Sequence, residues 1–517
     1  MVGLALLLAG QSVTRAQQAQ PPIEPPPPPP QQGSTIQVGT KLVVIDVVVT
    51  DKNDKPVTNL TKDDFIVTEE TFPQTVLHFE PPSAHPLPAG DLVHSSADLA
   101  KIGEATVDIL VLDELNTPFE DNAYSRYSLQ HFLKRQPPTM PPTTLLVAND
   151  KQFAVLQDYT QDRSLLIAAL KRDPVVYPWR RSMNGGAGED GVVRLGQSLQ
   201  TLQSIAQAAA GTPGRKTIIW VGKGFPSVDL TNLDDDSASK LYEAIKRCTN
   251  LLLQSRVTLY VVDPTGLSST TYDNSADIPV DLAALEEESG DEPFSNGIRF
   301  SKLAPATGGR VFKLRNDVDQ EIASSIQDGS LYYTLSYRPT GESAEPGEYR
   351  HIRVTMKDPN LKAATRDGYY APGVSPDDPK PDPAKEAKVA EGEEVIDVAN
   401  AALSKMVFTG VKLRATQGSP GSFTIAVADS SLTWKAAPDD RSAAKVSIVA
   451  VCFSAKGKVL SHTTEEKTLQ TKSPNATGAA EEIVTLPVTL ATGTKRLRLV
   501  VRDAASGRLG TADLKIP

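Results

Sequence analysis

Val107-Asp-Ile-Leu-Val-Leu-Asp-Glu-Leu-Asn-Thr-Pro-Phe119 is a near-continuous apolar run that ends in an acid and a polar loop. A strand reads this way when both faces of a parallel sheet are covered by helices. The next two hundred or so residues keep the pattern. Residues 122–135 carry helical periodicity, 144–147 and 153–156 are short apolar strands, and 162–171 is helical again. A Gly-rich loop (184–191) leads into an amphipathic helix over 192–210, with Leu195, Leu199, Leu202, Ile205 and Ala206 on one stripe. Strands at 217–221, 257–262 and 309–314 then alternate with helices at 237–255, 300–306 and 318–327. Such alternation predicts an α/β fold with a doubly wound, Rossmann-like sheet and right-handed crossovers over residues 104–329.

Both flanks change period. Residues 41–50 are β-branched and stop at the turn residues Asp51-Lys52-Asn53-Asp54-Lys55-Pro56, and 63–67 and 75–79 add two short strands. Half a β-sandwich cannot bury a core alone. Strands at 332–337, 350–356 and 362–365 supply the other half, so segments 39–82 and 330–371 are expected to form one β-sandwich interrupted by the α/β unit. Residues 372–394 read as a Pro/Asp/Lys/Glu-rich linker, and 395–517 as a second β-sandwich of period-two strands.

The 517 residues carry 53 Lys+Arg against 63 Asp+Glu, a formal charge of −10. That balance argues against nucleic-acid or anionic-membrane partners, which need concentrated basic surface. Cys248 and Cys452 are the only cysteines and fall in different units, so neither a disulfide framework nor a thiolate zinc site is expected. Met1 to Gly10 is an apolar run too short to span a bilayer and resembles a signal-peptide core, with cleavage near Ala16. Residues 1–20 are thus expected to direct export to the periplasm or beyond, and the eight prolines within 21–30 make 21–38 a polyproline spacer. No later stretch is apolar enough to be a membrane span.

Taken together, Leu60-Thr-Lys-Asp-Asp-Phe65, Asp113-Glu-Leu-Asn-Thr117, Pro213-Gly-Arg-Lys-Thr-Ile-Ile-Trp220, Tyr260-Val-Val-Asp-Pro-Thr-Gly-Leu267 and Arg366-Asp-Gly-Tyr-Tyr370 resemble the von Willebrand factor A-related domain family of acidobacteria. The resemblance covers residues 39–371 and implies a von Willebrand A-like sheet. In such domains a divalent ion sits on a D-x-S-x-S loop, with a Thr from a second loop and an Asp from a third, and takes a partner's carboxylate at its open position. Here Asp113 matches the first Asp and Thr117 the second hydroxyl, while Leu115 replaces the first Ser and offers no oxygen. Lys223 falls where the third-loop Asp belongs, and Glu189 and Asp190 are the nearest substitutes for the missing Thr. The resemblance implies a degenerate metal-ion-dependent adhesion site of Asp113, Asn116 and Thr117, with no cofactor or at most weakly held Mg²⁺. Either the Lys223 ammonium takes the cation's place against Asp113, or it points to solvent.

Other chemistry is excluded by context. Gly186-Ala-Gly-Glu-Asp-Gly191 matches G-x-G-x-x-G, yet no strand precedes it and its acids would repel a pyrophosphate. Gly211-Thr-Pro-Gly-Arg-Lys-Thr217 enters a strand instead of leaving one and reads as a helix-to-strand turn. Asp263-Pro264 is either a functional pair at the sheet's carboxyl edge or a turn cap, and no nucleophile elbow or His-paired nucleophile is visible. The expectation is a non-enzymatic, exported protein that mediates protein–protein interaction or adhesion through the carboxyl edge, with Glu114, Lys223 and Asp263 on the binding surface. The competing classes are an unrecognised periplasmic hydrolase and a structural envelope scaffold.

Overall fold

The computed structural model describes residues 42–149, 153–173, 189–228, 233–265, 292–294, 297–313, 317–340, 347–371, 383–419, 421–472, 474 and 480–517. The expected signal peptide (1–20) and polyproline spacer (21–38) lie outside them. In chain order the first part contains β1 (Val43–Thr50), β2 (Phe65–Glu69), β3 (Phe72–Gln74), β4 (Val76–Glu80), β5 (Val107–Asp113), α1 (Phe119–Arg135), β6 (Thr139–Ala148), β7 (Phe153–Asp162) and α2 (Arg163–Arg172). Then come α3 (Glu189–Ala209), β8 (Lys216–Val221), α4 (Asp235–Gln254), β9 (Val257–Val262), α5 (Phe300–Ala306), β10 (Val311–Phe312) and α6 (Val318–Ser330). The segment closes with β11 (Tyr333–Tyr337), β12 (Tyr349–Met356), β13 (Lys362–Ala364) and β14 (Gly368–Tyr370).

Six of these strands form a sheet in the order β10-β9-β8-β5-β6-β7. Counted within the sheet this is 6-5-4-1-2-3, the doubly wound order, whose direction of winding reverses between β5 and β8. All pairs are parallel except β6 with β7. The four residues between β6 and β7 are too few for a crossover helix, so the chain reverses and β7 becomes an antiparallel edge. Successive side chains of β5 and β8 point to opposite faces. Ile109, Val111, Ile218 and Trp220 join the core with α3 and α4, while Leu110, Leu112, Ile219 and Val221 join the core with α1, α2 and α6. Each large apolar side chain buried this way contributes about 1.5–3 kcal/mol.

Two smaller sheets, β13-β1-β11-β4 and β14-β12-β2-β3, each draw strands from both sides of the α/β segment. Their shared core contains Ile45, Val47, Phe65, Val67, Tyr333, Leu335 and Ile352. Phe65 meets Tyr333 edge-on at 5.1 Å, and the Tyr333 hydroxyl donates to the Val57 carbonyl (2.8 Å). Glu69, buried in this unit, accepts from the Tyr337 hydroxyl at 2.7 Å and pairs with Arg350 at 3.4 Å.

Where a linker is expected, the chain forms α7 (Pro383–Leu403). Pro383 suits a first helical position, and the Ala, Glu and Lys after it are strong helix formers, so composition alone misleads here. The helix also takes the first residues of the segment expected to be all β. Beyond it lie β15 (Leu413–Gln417), β16 (Ser422–Ala428), β17 (Lys435–Ala437), β18 (Arg441–Phe453), β19 (Val459–Thr471), β20 (Glu481–Pro487), β21 (Arg496–Asp503) and β22 (Leu509–Lys515). They make one sheet of β15-β16-β20 and a second of β17-β18-β21-β22, with β19 paired to β18. Phe423, Ile425, Val446, Ile448, Leu497 and Leu499 fill the space between them.

Asp397 of α7 ties these parts together. Its carboxylate accepts from Gln207 of α3 at 2.9 Å and pairs with Arg247 of α4 (3.3 Å) and Arg502 of β21 (3.7 Å). Asp397 is buried, so its loss removes the acid shared by two guanidinium groups, of which Arg502 keeps Glu394 at 3.5 Å and Arg247 is partly solvated. Asp397→Ala is therefore expected to cost about 2–3 kcal/mol, less than for a fully buried pair. Urea denaturation followed by circular dichroism should show a transition at lower denaturant than in the wild type.

Candidate functional site

Open α/β sheets place their ligand crevice at the carboxyl ends of the strands where the winding reverses. In this protein that point lies between β5 and β8, and the residues there are Asp113 and Gly222-Lys223-Gly224. The two strands run in register, with Leu112 opposite Val221, so the loops that leave them start side by side.

Asp113 is 1% exposed and its carboxylate is enclosed by N–H groups. Oδ1 accepts from the backbone of Leu115 (3.1 Å) and Asn116 (2.9 Å) and from Asn116 Nδ2 (3.1 Å). Oδ2 accepts from Asn116 Nδ2 (3.2 Å), Trp220 Nε1 (3.0 Å) and the Gly224 backbone (3.0 Å). Burial pushes the Asp113 carboxyl above the usual carboxylate range, and the Trp220, Asn116 and Gly224 donors oppose that rise. Asn116 Nδ2 also donates to Ser198 of α3 (3.1 Å), and Thr117 Oγ1 accepts from the Lys223 backbone (3.0 Å).

The glycines make this approach possible. A Cβ on Gly222 would sit 2.4 Å from Asp113 Cβ and 2.5 Å from Thr117 Oγ1, and one on Gly224 would sit 1.9 Å from Phe300. Phe300 packs against both Trp220 (5.3 Å) and Phe225 (4.8 Å), which fixes the indole that reaches Asp113.

Asp113, Asn116 and Thr117 thus come together, but as a closed hydrogen-bond cluster and not as a set of metal ligands. A divalent cation would face the hydrogens of the Asn116, Trp220 and Gly224 N–H groups, and Thr117 Oγ1 already accepts a backbone hydrogen. Leu115 is buried and apolar. Asn116 Oδ1 is the one buried oxygen of the cluster without a hydrogen-bond partner among the described residues. A single such oxygen falls far short of the near-octahedral oxygen shell Mg²⁺ demands. The residues do not fit the ion. Among the described residues no group of three or more His, Cys, Asp or Glu is placed to hold a metal.

Of the three residues expected on the binding surface, Lys223 is exposed and Glu114 and Asp263 are not. Of the two alternatives for Lys223, the solvent-facing one describes its side chain, and backbone and indole N–H groups surround Asp113 in place of its ammonium. Glu114 is no surface residue: it pairs with Arg126 of α1 at 2.6 Å, and Arg126 also holds Asp173 at 2.7 Å. Asp263 is 6% exposed, and its Oδ1 accepts from the Thr265 backbone (3.1 Å) and hydroxyl (2.8 Å), so it caps the turn after β9. In the loop expected to supply the second-loop Thr, Glu189 and Asp190 have side chains outside the described residues, as does most of the Gly-rich segment. Trp220, Ser198 and Gly224 were not anticipated as site residues. The Gly-x-Gly spacing directly after a strand ending in Trp-Val was the available signal.

The sheet order and the position of Asp113 define a doubly wound α/β unit with its candidate site at the switch point. No family model and no curated protein matches the chain. Among solved structures, the SpRpn10 VWA domain is similar at 14% identity over 32% of this chain and 90% of that one, with a TM-score of 0.16. An endonuclease/exonuclease/phosphatase from Beutenbergia cavernae is similar at 12% identity and a TM-score of 0.12, over 37% of this chain and 38% of that one. Both likenesses are weak and partial.

Trp220→Phe keeps the aromatic packing and removes one donor to the buried carboxylate. It is expected to cost about 1.5–3 kcal/mol, the range for a hydrogen bond to a charged group, read as a lowered melting temperature. Calorimetric titration with Mg²⁺ should give no binding heat for the wild type, nor for Leu115→Ser combined with Lys223→Asp, because the N–H donors around Asp113 remain in place.

Proposed function

We propose that this is an exported, non-enzymatic binding protein that engages a protein partner through the carboxyl rim of its α/β sheet, without a metal ion. The observation that carries the reading is the Asp113 cluster. A carboxylate at the switch point whose lone pairs are taken up by its own loops has none to spare for a metal or a substrate proton, and the groups around it are held rigidly. What the rim offers to solvent is side-chain surface: Pro118, Phe119, Glu120 and Lys223 are exposed, and Asp121 is half-buried. Burial raises the Asp121 pKa, with Asp263 and Glu120 adding to the rise and Lys223 opposing it, so these charges share one neighbourhood. Tyr124 and the 66% exposed Tyr127 extend this surface along α1. Exposed aromatic residues bordered by charges are the composition of protein interfaces. Export rests on the apolar segment at residues 1–10.

A rigid spacer is the second reading. The buried Asp397 of α7, which accepts from Gln207 of α3 and pairs with Arg247 of α4 and Arg502 of β21, favours parts that do not move relative to one another.

The deciding experiment is affinity capture from envelope extract with and without chelator, using wild type and the charge-reversed Glu120→Lys/Lys223→Glu protein. Rim binding predicts a partner retained in chelator and weakened at least about tenfold by the double reversal. Capture that chelator abolishes, or that the double reversal leaves unchanged, sinks the reading.

A further inference from the structure

Lys216 opens β8 at the amino edge of the sheet, remote from the rim, and is 2% exposed. Its Nζ donates to two backbone carbonyls, Thr212 at 2.7 Å and Gly214 at 2.9 Å. No third acceptor is found among the described residues. Both carbonyls belong to the Gly-Thr-Pro-Gly turn between α3 and β8, and that turn is wedged on two sides. A Cβ on Gly211 would lie 1.7 Å from the Thr409 carbonyl oxygen, on the chain entering the C-terminal sandwich. On the other side Gly214, at φ +77°, leaves only 2.5 Å between such a Cβ and the Glu104 carbonyl oxygen, and its N–H donates to Glu104 Oε2 at 2.9 Å.

Glu104 leads on to the first sandwich. Arg256 spans the gap, with NH1 3.4 Å from Glu104 Oε2 and NH2 2.8 Å from Asp46 Oδ1 on β1. Arg256 adopts φ +52°, a left-handed conformation that a non-glycine residue holds only where its surroundings enforce it. Thr334 of β11 completes the joint by accepting from Arg256 (3.0 Å) and donating to Asp46 (2.9 Å).

The stoichiometry at Lys216 is informative. A neutral amine has two N–H donors, which the two carbonyls satisfy. An ammonium has three, and would bury an unpaired donor together with a charge. The charged groups that face it are Arg256 before β9, Asp46 on β1 and Glu104 ahead of β5. Arg215, its neighbour at the start of β8, is turned to Thr258 Oγ1 (3.0 Å) and lies over the Tyr332 ring at 5.1 Å. His85 stacks on the same ring at 4.7 Å, and its Nε2 lies 3.4 Å from Thr334 Oγ1.

We propose that Lys216 is a proton-operated latch: as the neutral amine it holds the turn to which both sandwiches are tied, and protonation loosens that joint. Burial, reinforced by Arg256, brings its pKa from 10.5 down to about 7. Between those values the unfolded chain binds the proton and the folded chain does not, so the contribution to stability rises with pH across that window. Below the folded value the destabilisation is fully present.

Hydrogen exchange of the Thr212 and Gly214 amides in the full chain, for wild type and Lys216→Met between pH 6.5 and 9, tests the latch. The wild-type protection factor, taken relative to the variant, is expected to rise about tenfold per pH unit through pH 8, as for one proton. A ratio that stays flat overturns the proposal. Should Lys216→Met fail to fold, NMR titration of the Lys216 side chain in the wild type decides. Titration near pH 7 supports the latch, and titration near the ordinary lysine value of 10.5 overturns it.

Discussion

The Asp113 carboxylate is the constraint around which the α/β unit closes. It stands where β5 ends, beside the end of β8, and five N–H groups converge on it. Burying a charged carboxylate is unfavourable by several kcal/mol unless donors replace the lost water, and these donors are spread over two loops and a strand. The loops are therefore fixed together. Removing one donor affects the loop geometry as well as a single bond, because Gly222 and Gly224 leave no free volume for adjustment.

That closure bears on function. A carboxylate saturated by N–H groups is a poor metal ligand and a poor base, since its lone pairs are already engaged. The chemistry left to the site is that of its outer surface, which is mixed in charge and carries aromatic rings. In the proposed role, binding would depend on shape and on side chains already in place, without rearrangement of the loops.

The amino edge of the same sheet is built on a different principle. There, basic side chains meet carbonyls, rings and a few acids: Arg215 over Tyr332, the half-buried Arg256 between Asp46 and Glu104, Lys216 on two carbonyls. Between the α/β unit and the C-terminal sandwich, Asp397 of α7 bridges Arg247 and Arg502. Polar joints of this kind depend on protonation state in a way that apolar ones do not, and in Lys216 the protein has a group whose proton affinity falls near neutrality.

The apolar runs at 107–112, 217–221 and 257–262 are legible as buried strands, and the switch to period two on either side is legible as β structure, because burial on two faces or on one dictates those patterns directly. Asp113 at a strand end was equally plain. The fate of its carboxylate was not. Trp220 looks like one more core aromatic until β8 is seen beside β5, and Glu114 looks like a rim acid until Arg126 of α1 is seen against it. Helix α7 was hidden by prolines that end just where it begins. Local pattern fixes which residues are inside an element, since that depends on neighbours along the chain. Whether an acid faces a metal, a guanidinium or an indole depends on residues that for Asp113 lie about a hundred positions away, and only the packing of β8 against β5 brings them within hydrogen-bond reach.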